Sequence, residues 1–168
     1  MKPEEYFLVE SRILKEKSNL SFLLKQLGKH GLYPDVKSDR IGGFSLTDDE
    51  AARIIGSILH DFYTVVENIA KTVASRIDKS MPSAEEWHRE LLMQMTLPVP
   101  GLRPYVLSTE TASLLERYRS FRHVFRNIYG FRLESARLME LLKGLPDTVT
   151  LLDQDLDRFI KEMRKVWK

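Results

Sequence analysis

Apolar residues recur at helical spacing along nearly the whole chain, and this periodicity constrains the fold more than any other feature. There is no alternating, strand-like pattern of useful length, no internal repeat and no low-complexity tract. The segments with helical periodicity are residues 4–29, 47–79, 83–95, the stretch from Ser108 or Thr109 to Gly130, and 134–168. The sequence therefore predicts an all-α fold, an up-and-down bundle of four main helices plus a short one.

Residues that favour helix ends mark the boundaries between these segments. Thr47 with Glu50, and Ser83 with Glu86, have the spacing of capping boxes, which predicts helix starts at both places. Glycine and proline predict loops at 32–44 and 97–107. The run Gly144-Leu145-Pro146-Asp147 predicts an interruption of the last helix.

Composition narrows the class of protein. A chain of 168 residues, 43% hydrophobic and 30% charged, is typical of a soluble globular protein with one domain spanning residues 1–168. The absence of cysteine excludes disulfides and thiolate chemistry. The acidic start lacks an apolar signal-peptide core, and no apolar run approaches the roughly 18 residues that a membrane span needs. We therefore expect a cytoplasmic protein that does not bind a membrane.

Positive charge is concentrated in the fourth helical segment, although the net charge is only +2. The run from Arg117 to Arg132 contains five arginines, one histidine and no acidic residue. On a helix, Arg119, Arg122, His123 and Arg126 share one stripe, opposite an apolar face. This acid-free stripe predicts a surface that binds phosphate, carboxylate or a matching acidic surface, and the use of arginine without lysine suits bidentate recognition of phosphate.

The same stripe contains the groups needed for metal-free RNA cleavage. A base such as histidine removes the 2′-hydroxyl proton, and guanidinium stabilises the charge that develops on phosphorus. Because the 2′-hydroxyl is the nucleophile, neither a metal nor another cofactor is required. Common enzyme motifs are absent, and no histidine has a second ligand at metal-binding spacing. We interpret His60 and His88 as structural residues.

The pattern Arg122-His123-x-x-x-Asn127-x-Tyr129 resembles the motif of the HEPN superfamily, and specifically of HepT-like toxins. In that motif an arginine and a polar residue are followed, four to six positions on, by a histidine. Further matching blocks occur in the same order along residues 47–165: His60-Asp61-Phe62-Tyr63-x-x-x-Glu67, Pro82-Ser83-x-x-x-Trp87-His88, Leu107-Ser108-x-Glu110-Thr111-Ala112 and Tyr129-Gly130-Phe131-x-Leu133. Their order along the chain is much more specific than the arginine motif alone.

This resemblance implies a helical RNase toxin that forms a homodimer and pairs with an MNT-type nucleotidyltransferase antitoxin. It implies that Arg122 binds the scissile phosphate, while Arg119 and Arg126 bind flanking phosphates of the RNA substrate. It also implies that Tyr129 is a candidate for adenylylation by the antitoxin. A dimer needs anions, water or acids of the partner's second helix between facing arginine surfaces, and Glu67 and Asp61 are the candidate acids.

One position departs from the family pattern. The motif histidine falls at position 127, where this chain has asparagine. Asparagine can hydrogen-bond a phosphate but cannot titrate. Either His123 replaces it as the group that activates the 2′-hydroxyl, or cleavage has been lost and the helical module only binds RNA or the nucleotidyltransferase. A third possibility is an unrelated helical scaffold with a solvated basic face.

Overall fold

A computed structural model describes residues 2–127 and 133–166 of the protein. These residues form five α-helices and one short β-hairpin. The helices are α1 (Pro3–Lys29), α2 (Asp49–Val73), α3 (Trp87–Gln94), α4 (Thr109–Asn127) and α5 (Ser135–Val166), and α2 continues into a π-helical turn (Ala74–Asp78). The predicted all-α fold is confirmed. None of the helices in the described ranges is both long and apolar enough to cross a membrane.

Helix α2 lies at the centre of the bundle and contacts the other four helices. Its apolar residues are buried along its length, as expected for a helix covered on several sides. Phe62 packs edge-on against Tyr118 of α4, with ring centroids 4.9 Å apart. Tyr118 also donates a 2.8 Å hydrogen bond to the carbonyl oxygen of Leu141, which joins α4 to α5. These contacts hold α4 against α2 and α5.

The hairpin differs from the sequence prediction, which had a loop there. Strand β1 (Arg40–Ile41) pairs antiparallel with β2 (Phe44–Ser45) across Gly42 and Gly43, both of which have positive φ. Two-residue strands are too short to show alternation in a sequence, and the glycine pair provides the turn.

Two of the predicted helix starts are wrong. Helix α2 begins after Asp48, whose carboxylate accepts a 2.9 Å hydrogen bond from the Ser45 backbone N–H, so the Thr47 capping box does not form. Helix α3 begins after Glu86 without a side-chain cap, later than the predicted start at Ser83. By contrast, Ser108 caps α4 as expected, because its hydroxyl accepts a hydrogen bond from the Thr111 N–H at 3.1 Å.

The predicted interruption of the last helix is also wrong, because α5 runs without a break through Pro146. Proline removes one backbone hydrogen bond and normally disfavours a helix interior. Here Leu142 and Leu145 on one side of Pro146, and Val149 and Leu152 on the other, are buried in the core. Packing of this continuous apolar face compensates for the lost bond.

The loop between α3 and α4 is held by a buried ion pair. The Arg103 side chain is fully buried and donates to both carboxylate oxygens of Asp78, at 2.5 and 2.7 Å. Its Nη1 donates to the carbonyl oxygens of Leu97 and Pro104. Because the guanidinium is paired and also hydrogen-bonded, the ion pair avoids most of the penalty of burial. It connects the end of the π-helical turn to the segment that leads into α4.

Candidate active site

The arginine stripe of α4 lines a cavity of about 290 Å³. The residues that line it are His88, Arg119, Arg122, His123, Arg126 and Asn127. Five of these are the phosphate-binding and catalytic candidates predicted from the sequence, so the structure brings them together. The sixth, His88, comes from α3 and had been interpreted as structural. Tyr129, the predicted modification site, lies outside the described residues.

Arg122 forms an ion pair with Glu67, an acidic residue of α2. Its Nη1 donates a 2.7 Å hydrogen bond to Oε2 of Glu67, and its side chain is only 13% exposed. Its Nε is buried and has no hydrogen-bond partner among the described residues. The guanidinium is therefore oriented by one carboxylate, while it still lines the cavity.

Glu67 is 3% exposed and accepts from three cationic or polar side chains. Besides Arg122, the Nδ1 of His88 lies 2.6 Å from Oε2, and the Nζ of Lys71 lies 2.6 Å from Oε1. Burial alone would raise the pKa of Glu67, but the hydrogen bonds from Lys71 and His88 and the charge of Arg122 lower it below its usual value. Glu67 is therefore an ionised carboxylate at neutral pH.

The stripe is not free of acids in three dimensions, although it is in the sequence. Arg119 forms a bidentate pair with Glu116, one helical turn before it, at 2.8 and 2.6 Å. That hydrogen bond to Glu116 raises the pKa of the Arg119 guanidinium. Arg122 pairs with Glu67 as described. The prediction of an acid-free face is therefore wrong for these two arginines, whereas Arg126 has no salt-bridge partner within the described ranges.

Asn127 lines the cavity, and its side chain is exposed. Its Nδ2 donates a 2.8 Å hydrogen bond to the carbonyl oxygen of His123, four residues earlier on the same helix. The amide can offer a polar contact to a ligand, but it can neither accept nor release a proton near neutral pH. His123, which is also exposed, can do so.

His88 is held on two sides. Its ring stacks on Trp87, with centroids 3.6 Å apart, and its Nδ1 is bonded to Glu67. Lys71 lies over the Trp87 ring, at 4.8 Å from its centroid, as well as beside Glu67. Rotation of the imidazole is thus restricted by an aromatic neighbour and by a buried carboxylate. His60 has a different environment, beside Asp61 and Phe125, and does not line the cavity.

Sequence reasoning missed Glu67 and His88 as members of one site. A signal for Glu67 was present, because it is the only acidic residue between Phe62 and Val73 of α2 and directly follows Val65 and Val66. Glu67 had been considered as a contact to a second copy of the chain, but it is buried and paired within its own chain. His88 lies 21 residues away along the chain, so no spacing rule connects it to Glu67.

The fold and the site together define a helical bundle with a cationic cavity lined by α3 and α4 and a buried carboxylate of α2 bonded to two of its lining residues. A family model described as HepT-like protein matches residues 54–163, which is more than half of the chain. The protein therefore belongs to the HepT-like family of the HEPN superfamily. No curated protein and no solved structure matches it. Glu67, His88 and all the cavity-lining residues of α4 fall inside the matched range, whereas α1 and the hairpin precede it.

No group of three or more histidine, cysteine, aspartate or glutamate side chains in the described residues is arranged to hold a metal ion. The donors that meet in the cavity are instead guanidinium, imidazole and amide groups. Such donors match the geometry and charge of a phosphodiester.

Proposed function

We propose that the protein is a HepT-like toxin, a metal-independent ribonuclease of a toxin–antitoxin pair that cleaves RNA at an arginine-rich cleft. The observation that carries this proposal is the cavity in which three arginines and two histidines meet. Guanidinium groups bind phosphate oxygens in a bidentate manner, and histidine exchanges protons near neutral pH. The membership of the chain in the HepT-like family supports the same assignment.

Each cavity residue has a part in this proposal. Arg122, oriented by Glu67, holds the scissile phosphate and stabilises the charge that develops on it. Arg119 and Arg126 bind flanking phosphates. His123 activates the 2′-hydroxyl, or Asn127 positions it. The reaction needs no metal or other cofactor, because the RNA supplies its own nucleophile.

The active form in this proposal is a homodimer in the cytoplasm, in which the α4 helices of two copies line one cleft. A single cavity of about 290 Å³ contacts only a short stretch of RNA, and a two-fold dimer doubles the number of arginines available to the phosphates. Of the two acids of α2 considered for the dimer contact, Glu67 is buried in its own chain, whereas Asp61 is exposed and available to face a partner. A monomer in light scattering at micromolar protein concentration would contradict the shared cleft.

The partner in this proposal is an MNT-type nucleotidyltransferase antitoxin that adenylylates Tyr129. Tyr129 follows the last described residue of α4 by two positions in the sequence. An added AMP group is a bulky anion, and as an anion it would compete with RNA for the guanidinium groups. Incubation of both proteins with ATP, followed by mass spectrometry, tests this step. A Tyr129→Phe variant that still gains AMP would assign the modification to another residue.

A second candidate function is a HEPN-type module that binds RNA or the nucleotidyltransferase without cleaving RNA. Asn127 favours it, because this residue replaces the histidine of the family motif and its amide is bonded to the backbone of its own helix. Under this function the arginines would bind phosphate, and no proton transfer would follow.

Cleavage of a defined RNA by the purified protein in EDTA distinguishes the two functions. We expect wild type to cleave, Arg122→Ala to lose at least about 100-fold in rate, and Arg126→Ala to bind RNA more weakly. The matched control is Arg117→Ala. Arg117 lies on the same helix but pairs with Glu140 and does not line the cavity, so its loss should leave cleavage unchanged. Circular dichroism verifies that each variant is folded.

The two contrary outcomes have separate meanings. Full activity in a folded Arg122→Ala variant would contradict the assignment of the cavity as the active site. If wild type leaves RNA intact but Asn127→His cleaves it, the protein is the binding module whose catalytic position has lapsed.

A further inference from the structure

His88 and Arg122 are bonded to the same oxygen atom of Glu67. The His88 Nδ1 lies 2.6 Å from Oε2, and the Arg122 Nη1 lies 2.7 Å from it. The Arg122 guanidinium, which would bind phosphate, and the His88 imidazole, which comes from a different helix, are therefore bridged by one oxygen atom of Glu67. Both line the same cavity.

The carboxylate also determines which nitrogen of His88 can accept a proton. Glu67 is ionised and can only accept hydrogen bonds, so Nδ1 carries the hydrogen in the contact between them. The other ring nitrogen, Nε2, then has the free lone pair of a neutral imidazole. Stacking on Trp87 keeps the ring in this orientation. A buried carboxylate that orients a histidine also stabilises the imidazolium that forms when Nε2 takes a proton.

We propose that His88, oriented by Glu67, is the general base of the cavity and supplies the proton acceptor that Asn127 cannot be. This inference rests on the proposed ribonuclease function and gives it a catalytic residue from α3, outside the arginine motif. Glu67 is a positioning residue in this scheme. In this scheme His123, which lines the same cavity, acts as the acid instead of activating the 2′-hydroxyl.

The reaction balances with these groups alone. The Nε2 of His88 removes the proton of the 2′-hydroxyl, and the 2′-oxygen forms a bond to phosphorus. The bond between phosphorus and the 5′-oxygen breaks, and that oxygen takes a proton from the imidazolium form of His123. The products are a 2′,3′-cyclic phosphate and a 5′-hydroxyl end. Proton exchange with water returns both histidines to their starting states, and Arg122 neutralises the charge on the phosphoryl oxygens throughout.

The charged groups around His88 come from two helices. From α2, the carboxylate of Glu67 contacts the ring through Oε2, and Lys71 is bonded to the other oxygen of the same carboxylate. The α4 side chains that line the cavity with His88 are all cationic or titratable, apart from Asn127: Arg119, Arg122, His123 and Arg126. Glu67 is therefore the acid in direct contact with the His88 ring, which stacks on the uncharged ring of Trp87 and shares its cavity with three arginines.

The test uses the full chain and a defined RNA in EDTA, with cleavage rate and RNA affinity measured for each variant. His88→Gln should lose about 100-fold to 10,000-fold in cleavage rate, the usual contribution of a general base, and should retain RNA affinity because no phosphate-binding arginine changes. The matched control is His60→Gln, since His60 is a half-buried histidine on α2 that does not line the cavity. This control should cleave like wild type.

A second variant covers the case in which His88→Gln fails to fold. Glu67→Gln keeps the shape of the side chain and removes its charge, so the imidazolium of His88 loses its stabilising partner. The fall in cleavage rate on the acidic side of the pH profile should then move to lower pH, whereas a purely structural contact would change the rate without moving the profile.

The outcomes separate this inference from the function on which it rests. If wild type cleaves, Arg122→Ala does not, and folded His88→Gln cleaves at the wild-type rate, the inference is overturned and the ribonuclease function stands. An unmoved pH profile in Glu67→Gln also overturns it. If wild type does not cleave RNA at all, the ribonuclease function fails and the inference fails with it.

Discussion

Glu67 shows how one buried acid can organise a cationic site. Its side chain is 3% exposed, lies on the mostly apolar helix α2, and pairs with Lys71, His88 and Arg122. A carboxylate buried without partners would be strongly unfavourable, so its presence depends on these three donors. In return, it orients a guanidinium and an imidazole that would otherwise repel each other when both are charged. The orientation of Arg122 and His88 in the cavity therefore depends on Glu67, which does not itself line the cavity.

Glu67 should also make the stability of the fold depend on pH. Because its pKa in the folded protein is below the ordinary value of 4.5, its stabilising contribution is complete above pH 4.5 and is lost as the pH falls through the lower, folded value. Glu67→Gln should lower the free energy of unfolding at pH 7 by on the order of 1–3 kcal/mol. It should also flatten the decline in stability below pH 4.5. Urea denaturation at several pH values measures both effects.

The matched control for this measurement is Glu140→Gln, because the Glu140 side chain is 69% exposed. Exposed ion pairs contribute little, so this variant should follow the wild-type curve. An equally steep acid decline in Glu67→Gln and in wild type would contradict the assignment of Glu67 as a stabilising ionised group.

The contact between α2 and α4 is close because one position of α2 has no side chain. A β-carbon added at Gly56 would lie 2.7 Å from Cε2 of Phe125 and 3.2 Å from Cδ1 of Leu133. Phe125 also packs against Phe121 and His60 and is the residue before Arg126. Gly56 thus permits the ring to pack directly on α2, and this packing supports the cationic part of α4.

Substitution of Gly56 and of Gly144 by alanine should have opposite effects on the free energy of unfolding. In Gly56→Ala the overlap with Phe125 should lower the free energy of unfolding by about 1–3 kcal/mol, in spite of the better helix propensity of alanine. In Gly144→Ala the new β-carbon would meet its nearest atoms, in Arg117 and Tyr118, at an ordinary 3.7 Å, so about 0.5–1 kcal/mol of stabilisation should result. Thermal or chemical unfolding of both variants provides the measurement. Stabilisation by Gly56→Ala would contradict this prediction and would show that the Phe125 ring moves aside at little cost in free energy.

Over the whole molecule, α1 is part of the core even though it precedes the range matched by the family model. Its inward side chains Tyr6, Val9, Ile13, Leu20 and Leu27 are buried. The Tyr6 hydroxyl donates to the carbonyl oxygen of Ile160, and Glu10 pairs with Arg164, so α1 is connected to the far end of α5. The hydrogen bonds from Arg164 lower the pKa of Glu10 in spite of its burial. The HepT-like region and α1 therefore share one apolar interior.

Two neighbouring residues of α1 test this contribution. Ile13 is 1% exposed and Leu14 is 45% exposed. Ile13→Ala should lower the free energy of unfolding by about 2–5 kcal/mol through lost burial and a residual cavity. Leu14→Ala removes a side chain of the same size from the surface and should change it by less than about 0.5 kcal/mol. Equal, small effects in denaturant titrations would indicate that α1 packs only loosely on the rest of the protein.

Much of the fold could be predicted from the sequence, because apolar periodicity at helical spacing is a local signal. The extent of α1, the position of α4 and the Ser108 cap all follow from residues within a few positions of one another. The wrong predictions concern places where distant contacts prevail. Pro146 stays inside α5 because the flanking leucines are buried, and Asp48 turns to Ser45 because a hairpin brings that backbone amide near. A local rule cannot include such competition.

The candidate site likewise has one part that the sequence predicts and another part that only the tertiary structure reveals. The arginine stripe was visible in the sequence, since Arg119, Arg122 and Arg126 lie on one face of one helix, and the cavity confirms that they face a common space. Only the tertiary structure brings Glu67 beneath Arg122 and His88 beside it, across 55 and 21 residues of chain. Helical periodicity determines which residues share a face, whereas burial of apolar surface decides which helices meet. The charge pattern of α4 could therefore be predicted from the sequence. The contact between Glu67 and Arg122 depends on how α2 and α4 pack, so only the tertiary structure reveals it.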